Sequence, residues 1–206
     1  MNNQSQLSLL DWRRTVAEMY AAVRHNPDPA DAWQTWRRQR DEIFRSHPQS
    51  PLDDAQRASF TGLPYYEYDP AWRIAGELNL KVASNSFSVT LPEGDLRYIR
   101  IARVLFRVAD TVTRSTLSLF WLKGYGGGLF LPFADASNSR ETYGGGRYLY
   151  DTIKGADLGE LPDRLTFLLD FNFAYNPSCA YSPRWLCPLA PAENRLPFAV
   201  TAGEQM

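Results

Sequence analysis

At 206 residues with a formal net charge of −1, the chain has single-domain length and no general electrostatic attraction for nucleic acid or an anionic membrane. A chain this long buries roughly 70% of the surface its unfolded form exposes, so a core forms without metal or disulfide staples. No apolar run of about 18 residues is present to span a membrane. Met1–Gln6 lacks the basic start and apolar core of a secretory signal, so the expected compartment is the cytosol, with Cys179 and Cys187 reduced.

Two helices are predicted first, as a hairpin over residues 7–47. Ser8 and Asp11 have capping-box spacing, and Leu9, Trp12, Val16, Met19 and Val23 follow on one helical face. Asn26-Pro27 stops that helix, because the residue before proline avoids α geometry. Asp28 then caps the second helix, with Pro29 at its first position and Asp31 near its positive end. Trp33, Trp36, Arg40, Ile43 and Phe44 share a face up to His47-Pro48. The cluster Arg37, Arg38 and Arg40 runs directly into Asp41 and Glu42, a mixture that reads as a solvated face.

After a connector over 46–71, rich in Pro, Ser and Asp, the period changes to two. Trp72–Val82 alternates apolar and polar residues, and Phe87, Val89 and Leu91 repeat the pattern before a turn at Pro92-Glu93-Gly94. Leu96–Val108 reads as one long strand whose alternation slips near Ile101–Arg103, the mark of a bulge. A turn at Ala109-Asp110 leads to strands over Thr113–Leu122, Leu129–Phe133, Arg147–Ile153 and Leu165–Phe173. No helix-length pattern interrupts them, so consecutive strands should pair antiparallel. The expected fold is α+β: one domain over 1–206, with the helical hairpin, a mostly antiparallel β-barrel or sandwich over 60–173, and an ordered proline-rich C-terminal tail over 174–206. Five prolines from Pro177 to Pro197 exclude regular structure there, whereas Tyr175, Tyr181, Trp185, Leu186, Leu189 and Phe198 are too apolar for a linker. A short edge strand is expected at Leu196–Val200.

Tyr-Gly-Gly-Gly occurs at Tyr125–Gly128 and again at Tyr143–Gly146. Such runs let backbone amides approach a ligand closely, with Arg147 as a charge, or they build turns that make room for aromatic neighbours. Neither has the lysine and helix of a phosphate loop. The polar loop Phe133–Thr142 carries Asp135, Arg140 and Glu141, which fit either ligand recognition or an exposed hairpin tip. Asp170 and Asn172 occupy the polar face of an apolar strand, where with Arg147 they line a barrel interior or face water. Cys179, Cys187, His25 and His47 match a zinc set in number but not in spacing, so no metal site is expected.

The segments Gly128–Ser137, Glu141–Leu149, Leu169–Tyr181, Cys187–Pro197 and Ala202–Glu204, in this order, resemble a prokaryotic domain-of-unknown-function family, number sixteen eighty-four in that series. Phe44–Leu52 and Phe60–Tyr66 are similar to its earlier signature. The resemblance implies no reaction and no cofactor. It marks Asp135, Glu141, Gly144, Gly146, Arg147, Asp170, Asn172, Tyr175 and Asn176 as pattern positions, with Cys179, Cys187, Glu193, Asn194 and Arg195. The glycine-rich stretch before Gly128 departs from the family, so no site is placed on Tyr125–Gly127. The favoured reading is a small-molecule-binding β-domain whose one polar site combines Asp135, Glu141, Arg147, Asp170, Asn172, Tyr175, Asn176, Glu193, Asn194 and Arg195, with the tail as its wall. The alternatives are an enzyme using a carboxylate as acid or base with Arg147 stabilising an anion, and a protein-interaction module.

Overall fold

The computed structural model of the chain describes residues 3–91, 94–108, 114–159, 163 and 166–206. Helix α1 spans Asn3–His25 and α2 spans Pro29–Ser46. Asp28 caps α2 as expected, its Oδ1 accepting from the amides of Ala30 at 2.9 Å and Asp31 at 3.2 Å. Trp33, Trp36, Arg40, Ile43 and Phe44 form the buried face of α2. The start of α1 differs from the expected one. Ser8 lies inside the helix and donates back to the carbonyls of Gln4 and Ser5, while Asp11 approaches His47 Nε2 at 3.2 Å. A capping box forms instead at Asp53 and Gln56, where it starts a short helix α3, Asp54–Ala58, within the connector.

The described strands are β1 (Arg73–Asn79), β2 (Ser86–Leu91), β3 (Gly94–Phe106), β4 (Ser115–Lys123), β5 (Gly128–Phe133), β6 (Arg147–Asp151) and β7 (Thr166–Asp170). They form one antiparallel sheet in the order β6-β5-β4-β3-β1-β7, with β2 also on β3. The expectation that β1 would pair with β2 fails. Both lie along the same edge of the long β3, β2 against Gly94–Ile99 and β1 against Arg103–Leu105. The expected turns at Pro92-Glu93 and Ala109-Asp110, and the strand starts at Thr113 and Leu165, lie outside the described residues. The strands predicted at Trp72–Val82, Arg147–Ile153 and Leu165–Phe173 are longer than the observed β1, β6 and β7. Leu80 is exposed beyond the end of β1, and 3₁₀ turns follow β6 at Thr152–Lys154 and β7 at Phe171–Phe173.

The predicted bulge is present, and it decides how the sheet packs. Arg100 pairs with Phe120 but Ala102 pairs with Leu119, so Ile101 is the extra residue. Even-numbered side chains therefore change face along β3. Tyr98 joins Phe120, Phe130 and Tyr148 in a small aromatic cluster, whereas Ala102, Val104 and Phe106 enter the main core with the helices. The sheet curls into a half-barrel. Its far strand meets the chain just beyond β7, where Tyr148 and Tyr175 exchange backbone hydrogen bonds of 2.8 and 3.0 Å.

Helix α2 closes one side of this curl. Trp36 stacks edge-on against Phe173, and Trp33 Nε1 donates to the carbonyl of Asn172 at 2.9 Å. After Phe173 the chain continues as coil with two 3₁₀ turns, Ser178–Ala180 and Ala192–Asn194. The edge strand expected at Leu196–Val200 does not form. Single bridges hold this part of the chain instead, Arg195 beside Ala134 and Glu204 beside Tyr65. No helix among the described residues is long and apolar enough to cross a membrane.

Gly76 shows how closely β1 and β3 approach. A Cβ added there would overlap Val104 Cγ1, which is fully buried. Gly76→Ala is expected to lower unfolding free energy by about 1–3 kcal/mol through overpacking, measured as a shifted urea midpoint with an unchanged slope.

Candidate functional site

Arg147 opens β6 and is completely enclosed. Its Nη2 donates to Asp135 Oδ2 at 2.7 Å and to the Val200 carbonyl at 3.0 Å, and its Nη1 donates to the carbonyls of Ala202 at 2.5 Å and Glu204 at 3.3 Å. Burial pulls the Arg147 pKa down while Asp135 pulls it up. The second carboxylate oxygen of Asp135 accepts from the Ser137 amide and hydroxyl, and that hydroxyl meets Thr142 Oγ1 at 2.8 Å. Asp135, Ser137 and Thr142 of the polar loop are thus folded inward on one another, whereas Arg140 and Glu141 stand at an exposed tip. Gly146 belongs to the same packing. At φ +88°, its missing Cβ would stand 2.5 Å from the Phe133 carbonyl.

A second buried pair lies beside the first, and the sequence reading missed it. Arg40 Nη2 donates to Glu204 Oε2 at 2.9 Å, its Nε donates to Tyr65 Oη at 2.8 Å, and its guanidinium lies 5.1 Å from the Tyr175 ring centre. Glu204 also accepts from the Asn176 amide at 3.0 Å and from the Tyr181 hydroxyl. Burial pushes the Glu204 pKa up to about 7 against the opposing pull of Arg40. The signal was present at one end only. Arg40 shared a helical face with Trp33, Trp36 and Phe44, a position where a cation must find a partner.

Asp170 stands apart from both pairs, at the end of β7 opposite Arg73 of β1. It is 2% exposed, and burial raises its pKa to about 6 despite two hydrogen bonds from Asn172 and the Arg73 Nε 3.4 Å away. Asn172 is fully engaged, bonding both the amide and the carbonyl of Asp69. Asp170 borders a cleft of about 210 Å³ between α1, α2 and the β1–β7 edge, which Arg24, Asn26, Arg73, Leu158 and Phe173 also line.

Asn194 is buried at a third place. Its Oδ1 accepts from the Ser118 amide, and its Nδ2 donates to the carbonyls of Ser118 and Pro132. Glu193 pairs with Arg100 at 2.7 Å, and Arg195 is exposed. Glu141 is also exposed and accepts from the Tyr66 hydroxyl at 2.7 Å.

Residues 58–205 match the model of a family described as a protein of unknown function, DUF1684. The chain belongs to this family. It is also similar to the solution NMR structure of an uncharacterised Haloarcula marismortui protein, at 32% identity over 84% of this chain and 91% of that one, with a TM-score of 0.61. Comparison with curated proteins finds no match. The matched DUF1684 range starts after Phe44–Leu52, so that part of the resemblance lies outside it.

Within DUF1684, the structure corrects the picture of one polar mouth. Asp135, Arg147, Tyr175 and Asn176 come together, but around Glu204 in a sealed interior. Asp170 borders the cleft, with Asn172 bonded to it, but without Arg147, whose guanidinium is turned to Asp135 and the C-terminal carbonyls. Asn194 braces β4 and β5, Glu193 is tied to Arg100 of β3, and Arg195 and Glu141 are on the surface. No group of three or more His, Cys, Asp or Glu among the described residues is placed to hold a metal ion. His25 Nδ1 contacts the Ala21 carbonyl and His47 contacts Asp11.

Removing one member of a buried ion pair strands the other. Arg147→Met is expected to cost about 3–5 kcal/mol, and the double variant with Asp135→Asn less than the sum of the single changes, measured by urea denaturation. Glu204 sets a pH dependence. Its folded value of about 7 exceeds its ordinary 4.5, so its contribution is full below about 4.5 and is lost as pH rises through about 7. Glu204→Gln is expected to remove roughly 3 kcal/mol of that decline, measured by unfolding at pH 4.5 and pH 8.

Proposed function

We propose that this protein binds a small polar organic molecule in the cleft beside Asp170. The observation that carries the reading is a carboxylate 2% exposed yet bordering a cleft, with its pKa pushed up to about 6 because its charged form is poorly solvated. A ligand hydroxyl or ammonium supplies the donor that solvent does not. Arg24 and Arg73 on the same rim favour an acidic group elsewhere on that ligand, which makes small hydroxy acids and amino acids the fitting class. At about 210 Å³ the cleft is below the roughly 300 Å³ lower end of sites for drug-sized molecules. The apolar floor of Leu158 and Phe173 suits a short carbon skeleton. A cytosolic location with no nucleic-acid or membrane partner is part of the same proposal, resting on the near-neutral net charge.

A carboxylate near pKa 6 at a cleft also suits acid–base chemistry. Turnover of a bound compound, visible as a change in its mass, would make the binding site an active site.

Intact-mass spectra under native and denaturing conditions test for a retained ligand, and thermal shifts with a panel of small hydroxy and amino acids test the class. At least one compound is expected to stabilise the protein, with the effect lost in Asp170→Asn, reduced in Arg73→Met, and weakened as pH falls below about 6, where Asp170 takes up its proton. Equal stabilisation of all three proteins, or no retained mass and no stabilising compound, would contradict the proposal.

A further inference from the structure

The two cysteines lie outside the cleft and outside both buried ion pairs. Cys179 is in the 3₁₀ turn Ser178–Ala180, and Cys187 follows in coil. Both are free and half-buried. The segment after Cys187 is folded back onto the second glycine run: Tyr148 Oη donates to the Pro188 carbonyl at 2.5 Å and the Ala190 amide to the Gly145 carbonyl at 3.2 Å. This places Tyr143 Oη 3.6 Å from Cys179 Sγ, as a donor, and brings the two thiols within hydrogen-bonding reach of each other. The charged and titratable groups that act on the pair are Tyr143, Tyr148 and the cation of Lys154, itself 3.4 Å from Asp151.

The pair shares its protons unequally. Donation from the Cys187 thiol, with help from the Tyr143 hydroxyl and Lys154, pulls the Cys179 pKa down to about 6, while the same hydrogen bond pushes Cys187 up. At neutral pH, Cys179 is therefore the thiolate and Cys187 the thiol. That division of roles, between two half-buried thiols with Tyr143 donating to Cys179, is what a dithiol oxidation needs.

We propose that Cys179 and Cys187 form a peroxide-reactive dithiol, with Cys179 as the attacking sulfur and Cys187 as the resolving one. The Cys179 thiolate attacks one oxygen of a small hydroperoxide; the O–O bond breaks, hydroxide leaves and takes a proton to become water, and a sulfenic acid remains on Cys179. The Cys187 sulfur then attacks that sulfur, the S–O bond breaks, a second water leaves with the Cys187 proton, and the disulfide forms. Two thiols give up two electrons, and hydrogen peroxide is reduced to two waters. The lower pKa makes Cys179 mostly thiolate at pH 7 but also a weaker nucleophile per thiolate. Its advantage is thus over Cys187, whose thiolate is scarce, rather than over thiols in general.

The test uses the reduced full-length chain with one equivalent of hydrogen peroxide at pH 7, followed by intact mass and peptide mapping. The expected product has lost two hydrogens and carries the bond between Cys179 and Cys187 within one molecule. Cys187→Ser is expected to gain one oxygen at Cys179, trapped by dimedone. In the wild-type protein, substoichiometric iodoacetamide is expected to label Cys179 at least about tenfold over Cys187, a comparison that needs no variant to fold. Equal or preferential labelling of Cys187, bonds between molecules, or unchanged thiols after peroxide would each overturn the proposal.

Discussion

Two buried guanidinium–carboxylate pairs meet at Glu204, and the path of the last thirty or so residues depends on them. An arginine without water must place its donors on protein acceptors. Arg147 places its Nη1 and Nη2 donors on Asp135 and the carbonyls of Val200, Ala202 and Glu204, leaving Nε unpaired, so a segment that proline keeps out of regular structure is fixed through its main chain. Arg40 then fastens the Glu204 side chain to α2, 164 positions earlier in the sequence. The helical hairpin, the sheet and the coil beyond Phe173 are locked together at this one point.

What was legible in the sequence was local. The cap at Asp28, the apolar face of α2, the period-two strands and the slip near Ile101 all follow from neighbours a few residues apart, and all are present. Ser8 misled because capping spacing does not distinguish a cap from a serine back-bonded inside a helix. The neighbours of β3 were illegible because β1 and β2 are joined end to end along one edge, which no alternation pattern encodes. Glu204 was missed for the same reason. Its significance lies in Arg40 and Asn176, and only the folded chain brings these together.

The family resemblance pointed to positions that matter, and the structure separates two ways of mattering. Arg147, Asp135, Asn176 and Asn194 are enclosed and direct their hydrogen bonds to main chain and to neighbouring side chains, with Arg147 Nε and Asn176 Oδ1 left unpaired, as residues that specify a fold do. Asp170, held by Asn172 and Arg73, is equally buried but borders a cleft. DUF1684 carries no assigned activity, and the similar Haloarcula protein is itself uncharacterised, so the functional case rests on that contrast between polar groups enclosed in the interior and a buried carboxylate at a cleft. Six of the ten residues expected to form one mouth hold the chain together instead: Asp135, Arg147, Tyr175 and Asn176 around Glu204, Glu193 on Arg100 of β3, and Asn194 on β4 and β5.

Native-state hydrogen exchange tests the central claim most directly. The amides of Asn176, Leu196 and Glu204 donate to Glu204 Oε2 and to the carbonyls of Ala134 and Ala174, although none lies in a strand or helix of regular length. If the buried ion pairs lock the C-terminal segment to the core, these amides exchange only through global unfolding, with protection equal to that of β5 and β6. Exchange at loop-like rates while the sheet stays protected would contradict the account.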